Sequence, residues 1–137
     1  MIKTLIGILL SMASACALAQ GLEPGEWRFS TTLKVPGAPK PQTAVTTQCV
    51  TKEDADPDRW MRKHAPQSDC KLTTAKKSGD TYTMDVICPK SNMRGHGTTR
   101  MARGTMESEM TMSGEQQGRK FEMYTRTTGK RLGPCKS

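Results

Sequence analysis

Residues 27–35 have the sequence Trp-Arg-Phe-Ser-Thr-Thr-Leu-Lys-Val, in which apolar or threonine side chains alternate with more polar ones. Since successive side chains of a strand point to opposite faces, this alternation predicts a half-buried β-strand with Trp27 and Phe29 on one face. Segment 36–41 contains three prolines and a glycine, which cannot continue a strand ladder. A second strand over 42–50 is therefore expected to form a hairpin with the first.

The same period-two pattern recurs after Cys70 to nearly the end of the chain. Glycine-containing turns are predicted at 78–80, 103–104 and 113–115. Between the second and third of these turns, Met106, Ser108, Met110 and Met112 share one face of a strand, as do Tyr82, Met84, Val86 and Cys88 of an earlier one. Gly95 and Gly97 interrupt the alternation over 94–103, which indicates a bulge, a bend or a close backbone approach.

These segments predict an all-β protein whose seven antiparallel strands follow one another as a meander. Because one apolar face of such a sheet must be covered, we expect the sheet to curl towards a small barrel. A two-layer β-sandwich is the alternative.

One short helical insertion is expected after the first hairpin. Thr51 stands three residues before an acid, the spacing of a capping box, and Pro57 suits the first position of a helix. The helix is expected to end near His64, with its apolar pair, Trp60 and Met61, over one end of the sheet.

Residues 1–19 have the organisation of a secretory signal peptide. Lys3 supplies the positive charge, 5–10 is an apolar stretch, and Ala17-Leu18-Ala19 forms a small-x-small cleavage site. Cleavage there leaves one domain of residues 20–137, with no other segment approaching the roughly 20 apolar residues of a spanning helix. We expect a periplasmic or secreted protein; acylation of Cys16 as a lipoprotein is the alternative route.

Four cysteines remain after the leader, namely Cys49, Cys70, Cys88 and Cys135. Export to an oxidising compartment predicts two disulfides, and no Cys-x-x-Cys pair supports a zinc site. A two-residue turn at 79–80 would place Cys70 and Cys88 on opposite faces, so the favoured pairs are Cys49–Cys70 and Cys88–Cys135. A three-residue turn would instead pair Cys70 with Cys88 and Cys49 with Cys135.

Several segments together resemble a known bacterial family. They are Gly25-Glu26-Trp27, Gln48-Cys49-Val50-Thr51-Lys52-Glu53-Asp54, Ser78-Gly79-Asp80-Thr81-Tyr82 and Gly129-Lys130-Arg131-Leu132-Gly133-Pro134-Cys135. Over nearly all of residues 20–137 the chain resembles the exported family called Domain of Unknown Function 3617. The resemblance implies export and a four-cysteine framework, and it implies no activity. Pro134 departs from the family pattern, in which a small acid is common at that position.

Methionine is the candidate metal ligand of this sequence. Thioethers bind Cu(I), and Met106, Met110 and Met112 share a predicted strand face, with Met84 and Met123 as possible neighbours. The alternative is that methionine fills the core of a protein with only 4% aromatic residues. Core packing is the favoured interpretation.

Catalytic chemistry has little support in the sequence. The two histidines, His64 and His96, have no acid or thiol at a ligand-like interval, and no Gly-x-Ser-x-Gly elbow is present. Cysteines held in disulfides supply no thiolate. We therefore expect no enzyme and no cofactor.

The formal net charge of +8 favours anionic partners. Arg59, Arg62 and Lys63 form the basic tip of the expected helix and are the candidate anion-binding residues. Tyr124 is the one aromatic among outward positions, so no specific nucleic acid is expected as a partner. The sequence thus predicts an exported protein of the bacterial envelope, a non-catalytic binding or accessory module for an anionic envelope component; the alternative is a methionine-rich periplasmic Cu(I)-binding protein.

Overall fold

The structure is a computed structural model that describes residues 22–56, 59, 63 and 69–136. The predicted leader (1–19), Arg62, His64 and the pair Trp60–Met61 lie outside the described residues. The strands are β1 (Gly25–Lys34), β2 (Gln42–Val50), β3 (Lys71–Ser78), β4 (Thr81–Cys88), β5 (Met93–Ala102), β6 (Thr105–Gln116) and β7 (Arg119–Gly133). A 3-10 turn, Lys52–Ala55, follows β2, and Arg59 and Lys63 have helical backbone.

All seven strands form one antiparallel sheet in the order β2-β1-β7-β6-β5-β4-β3. The predicted all-β, seven-stranded antiparallel fold is confirmed. The described strands form a single layer that does not close, since β2 pairs only with β1 and β3 only with β4. The N-terminal hairpin joins the meander by pairing β1 with β7, the last strand.

Two of the three predicted turns are confirmed, and the third is wrong. Gly79–Asp80 joins β3 to β4, and Arg103–Gly104 joins β5 to β6. The turn expected at 113–115 lies instead at Gln117–Gly118, where both residues have positive φ, as a tight hairpin turn requires. Gly114 stays in β6 because Phe121 of β7 covers it, with a ring carbon 2.9 Å from the position of a Cβ.

The disulfides are Cys49–Cys135 and Cys70–Cys88, so the favoured pairing of Cys49 with Cys70 and Cys88 with Cys135 is wrong. The turn at 79–80 does have two residues, as expected for that pairing. However, the register shifts by one between Leu72 and Thr74, so that Leu72 lies opposite Val86. This β-bulge moves Cys70 into line with Cys88 on the same face.

The two faces of the sheet differ in chemistry. One carries Trp27, Phe29 and every methionine of the described residues, and we call it the methionine face. Its methionines are Met84, Met93, Met101, Met106, Met110, Met112 and Met123. The opposite face, which we call the charged face, carries most of the ionisable side chains of the strands.

The buried core occupies one half of the methionine face, and we call this the core half. Trp27 and Val50 are 1% and 0% exposed, and they pack with Phe29 and Met106. The rings of Trp27 and Phe29 stack with centroids 5.9 Å apart, and the Trp27 indole N–H donates to the carbonyl of Glu23 at 2.8 Å. Phe29 lies over Gly129 of β7, where ring carbons are 2.9 Å from the position of a Cβ, so glycine is required at that contact.

Candidate binding face

The other half of the methionine face is lined by flexible apolar side chains, and we call it the open half. It consists of Met84, Val86, Met93, Met110, Met112, Phe121 and Met123. Only Val86 is fully buried, and the other six side chains are half-buried. This half of the sheet therefore offers a partly solvent-accessible apolar surface.

Two glycines of β5 shape the open half. Gly95 pairs with Met112, and Gly97 pairs with Met110. The sulfur of Met112 lies so close to Gly95 that a Cβ there would overlap it, and the Met110 sulfur is 3.3 Å from the same point. Of the three features expected at these glycines, a close approach is present, but it is made by methionine side chains, and the register of β5 is regular, without a bulge. Both thioether sulfurs lie near Gly95.

The predicted shared face of Met106, Met110 and Met112 is confirmed, with Met84 and Met123 on that same face. Met106 lies in the core half, 9% exposed, and is separated from the other two. The sequence missed Met93 and Met101 because Gly95 and Gly97 replace the side chains that would have made the alternation of β5 visible. In the structure, every second residue of β5 from Met93 to Met101 is buried or half-buried, and this pattern places both methionines on the methionine face.

A row of hydroxyl groups separates the core half from the open half. It crosses five neighbouring strands and consists of Tyr82, Thr99, Ser108, Thr127 and Thr31. The Thr99 and Ser108 oxygens are 2.9 Å apart, and those of Thr31 and Thr127 are 3.0 Å apart. Because a hydroxyl group both donates and accepts, the two hydroxyls of each pair form a hydrogen bond with each other within an otherwise apolar surface.

The open half ends at a rim of basic residues. The β1–β2, β4–β5 and β6–β7 connections all lie at this end of the sheet, because their strand pairs end at Leu33–Gln42, Cys88–Met93 and Gln116–Arg119. The basic rim consists of the exposed residues Lys40, Lys90, Arg119 and Lys120. Fewer acids lie nearby, namely Asp69, Glu115 and Glu122. The rim has an excess of positive charge, which attracts anions.

Two of the three predicted anion-binding residues are paired with acids. Lys63 binds the carboxylate of Asp54, with Nζ 2.9 Å from Oδ1, and Arg59 lies 3.9 Å from Asp56. Arg62 lies outside the described residues. Acids thus lie beside both described residues of the predicted basic tip, Arg59 and Lys63, and the basic rim is the stronger candidate for an anion.

Asp54 is the organising residue of this turn. Its carboxylate accepts from the backbone N–H and the hydroxyl of Thr51, so the predicted capping box is present. Burial alone would raise the pKa of Asp54, but the hydrogen bonds from Thr51 and Lys63 outweigh it and lower the pKa below its usual value.

The charged face contains one histidine–carboxylate pair that the sequence missed. His96 Nδ1 is 2.7 Å from Asp85 Oδ1, because β4 and β5 place these two residues directly opposite each other. Their side chains are 64% and 44% exposed, so water surrounds the pair. Register across the strand pair, rather than spacing along the chain, would have revealed it.

Tyr124 lies on the charged face, as predicted, and its ring and hydroxyl are both engaged. The Lys34 ammonium lies over the ring, 5.5 Å from its centroid. A hydrogen bond to the Glu109 carboxylate raises the pKa of the Tyr124 phenol.

In the described part of the chain, no three or more histidine, cysteine or acidic side chains are arranged to hold a metal ion. No helix among the same residues is long and apolar enough to cross a membrane.

Comparison with known proteins gives one match. The model of a protein family of unknown function, DUF3617, matches residues 22–135, which include all seven strands and all four paired cysteines. No curated protein and no solved structure matches the chain. Because the match covers most of its length, the chain belongs to the DUF3617 family.

Proposed function

We propose that this protein is an exported, non-catalytic binding module of the bacterial envelope. Its ligand is an anionic amphiphile, whose acyl chain lies on the open half and whose charged group lies at the basic rim. The observation that carries the proposal is the adjacency of these two surfaces: half-buried methionines beside exposed lysines and arginines at one end of one sheet.

The chemistry of the open half suits an acyl chain. Methionine side chains have three rotatable bonds and a polarisable sulfur, so they adapt to irregular apolar ligands. Gly95, Gly97 and Gly114 carry no side chains, so Met112, Met110 and Phe121 lie directly against the backbone of the sheet and form its apolar surface there. Exposed apolar surface beside charged residues is typical of ligand-binding or membrane-binding regions.

Export is part of the proposal and rests on the leader pattern of residues 1–19 together with the two disulfides. Disulfides persist in oxidising compartments. The proposed role is non-catalytic for two reasons. The paired cysteines supply no thiolate, and the His96–Asp85 pair lies exposed to water on the charged face.

The proposal is tested by displacement of a fluorescent anionic dye, anilinonaphthalene sulfonate, from the chain produced in a bacterial host. Single-chain phosphatidylglycerol should displace the dye more strongly than single-chain phosphatidylcholine with the same acyl chain. Met112→Gln should weaken phosphatidylglycerol binding by about tenfold, because an amide is costly to bury against an acyl chain.

The control for the face is the neighbouring residue Thr111, whose side chain points to the charged face. Thr111→Gln should leave the affinity unchanged, and equal losses in the two variants would reject the open half as the site. The double variant Arg119→Gln, Lys120→Gln should weaken binding of phosphatidylglycerol and leave binding of phosphatidylcholine unchanged. Equal affinity of the native chain for the two lipids would reject the basic rim.

Cu(I) binding is the second candidate, favoured by the closeness of the Met110 and Met112 sulfurs at Gly95. Titration with Cu(I) against a chromophoric chelator tests it. The native chain should take the ion, and the Met110→Leu, Met112→Leu double variant, which keeps apolar packing, should not. The candidate is rejected if no complex tighter than roughly micromolar forms or if the double variant binds equally well.

A further inference from the structure

We propose that β2 pairs with β2 of a second copy of this chain, so that two sheets join into one across a twofold axis at Val45. The inference is independent of the ligand proposed above. It rests on the difference between the two edges of the sheet and on the sequence of β2.

The two edge strands are protected to different degrees. β3 carries Lys71, Lys76 and Lys77 and is interrupted by the bulge near Thr73. Charged side chains and bulges are the features by which proteins keep an edge strand from pairing with another chain. β2 has neither: it contains no charged residue, and it keeps a regular register with β1 over its whole length.

β2 is also exposed along the edge. Every residue from Gln42 to Thr47 is exposed, and Val45, at 62%, is the most exposed of the large apolar residues of the described chain. β2 pairs with β1 alone among the described strands, so its second side has backbone groups free of any sheet partner. Burial of an exposed valine and completion of those hydrogen bonds both favour addition of a further strand.

The sequence of β2 indicates that the strand added at this edge is β2 of a second copy of the chain. Residues 42–48 are Gln-Thr-Ala-Val-Thr-Thr-Gln, which reads almost identically in both directions. In an antiparallel pair centred on Val45, each residue therefore meets its own kind or a close match. The pairs are Gln42 with Gln48, Thr43 with Thr47, Ala44 with Thr46, and Val45 with Val45.

Two physical consequences make this register favourable. β-Branched residues such as threonine and valine are suited to cross-strand pairs. β2 contains no charged residue, so self-pairing brings no like charges opposite one another. The twofold axis is perpendicular to the sheet, so the methionine faces of both copies lie on the same side. The seam is short, so we expect a weak dimer.

Sedimentation velocity of the whole chain, from about 1 to about 500 µM, tests the proposal. The native chain should change from monomer to dimer within this range. Val45→Lys should stay monomeric at all these concentrations because two ammonium groups would meet at the axis, whereas Ser78→Lys on the opposite edge should dimerise like the native chain. Circular dichroism should show the same sheet content in all three proteins.

A mixing experiment tests the register. Val45→Glu should also be monomeric alone, and an equimolar mixture of Val45→Lys with Val45→Glu should form heterodimers, because position 45 of one copy faces position 45 of the other. A native chain that stays monomeric throughout, or a dimer that persists in Val45→Lys, overturns the proposal. Failure of the mixture to associate overturns the register centred on Val45.

Discussion

Cys70 bonds to Cys88 directly across β3 and β4, with their Cα atoms 4.0 Å apart, because one extra residue in β3 shifts the register. The other disulfide, Cys49–Cys135, joins the edge strand β2 to the chain end beyond β7. The two bonds close loops of very different length, with sequence separations of 18 and 86 residues.

Loss of the two disulfides should therefore destabilise the protein unequally. The entropy of closing a loop in the unfolded chain predicts a loss of about 3 kcal/mol for Cys70→Ser with Cys88→Ser and about 4–5 kcal/mol for Cys49→Ser with Cys135→Ser. Urea unfolding of the two double variants measures both values. A larger loss from the shorter loop would contradict the entropic account, and non-reducing peptide mapping of the native chain should recover only these two linked pairs.

Asp54 should contribute to stability in a pH-dependent way. Its folded-state pKa is lowered, so its ionised form is stabilising above the ordinary carboxyl range, and this contribution is lost as the pH falls through the folded-state pKa. At pH 7, Asp54→Asn should lower the free energy of unfolding by about 1–2 kcal/mol, because charge-assisted hydrogen bonds to Thr51 and Lys63 are lost.

Urea unfolding at pH 7 and at low pH measures this contribution. The difference between native and variant should shrink as the native Asp54 becomes protonated. Glu53→Gln, an exposed acid in the same turn, is the control and should change stability by less than about 0.5 kcal/mol. A constant difference at both pH values would show that the charge of Asp54 is irrelevant.

Gly129→Ala should disturb the core, since its Cβ would meet the Phe29 ring. We expect a loss of about 1–3 kcal/mol from overpacking. Thermal or urea unfolding measures it, with Thr128→Ala on the exposed face as the control. Phe29→Leu makes space at this contact, so in that background Gly129→Ala should lower the free energy of unfolding by less than it does alone. If the losses of the two single variants simply add, the two residues are not coupled by this contact.

The processed N-terminus is expected at Gln20. Intact-mass measurement of the chain recovered from the periplasmic fraction of a bacterial host should give the mass of residues 20–137 with both disulfides formed. A diacylated or triacylated chain beginning at Cys16 would instead establish the lipoprotein route. An uncleaved chain in the cytoplasm would refute export.

The strands of this protein could be predicted because side-chain alternation is a local property. Trp27 and Phe29 share one face of β1, and Met110 and Met112 share one face of β6; each alternation is visible in the sequence without knowledge of the strand order. The sequence also places the turns at Gly79 and Gly104, since glycine there adopts positive φ.

The errors arose where one strand depends on another. Gly114 has the composition of a turn, but the ring of Phe121 across the sheet keeps it in a strand. The bulge near Thr73 carries no glycine to mark it, so the disulfide partners could not be assigned from the turn length alone. The His96–Asp85 pair and the basic rim likewise exist only through cross-strand register and strand order.

The adjacency of β1 and β7 bears on how the protein is made. The contact between Phe29 and Gly129 cannot form until Gly129, near the far end of the polypeptide, has left the ribosome. The pairing of β1 with β7 is therefore among the last contacts that a nascent chain can complete, and closing so long a loop is slow. This late contact suits the proposed export, because a chain whose sheet is still incomplete can be threaded through a narrow translocation pore.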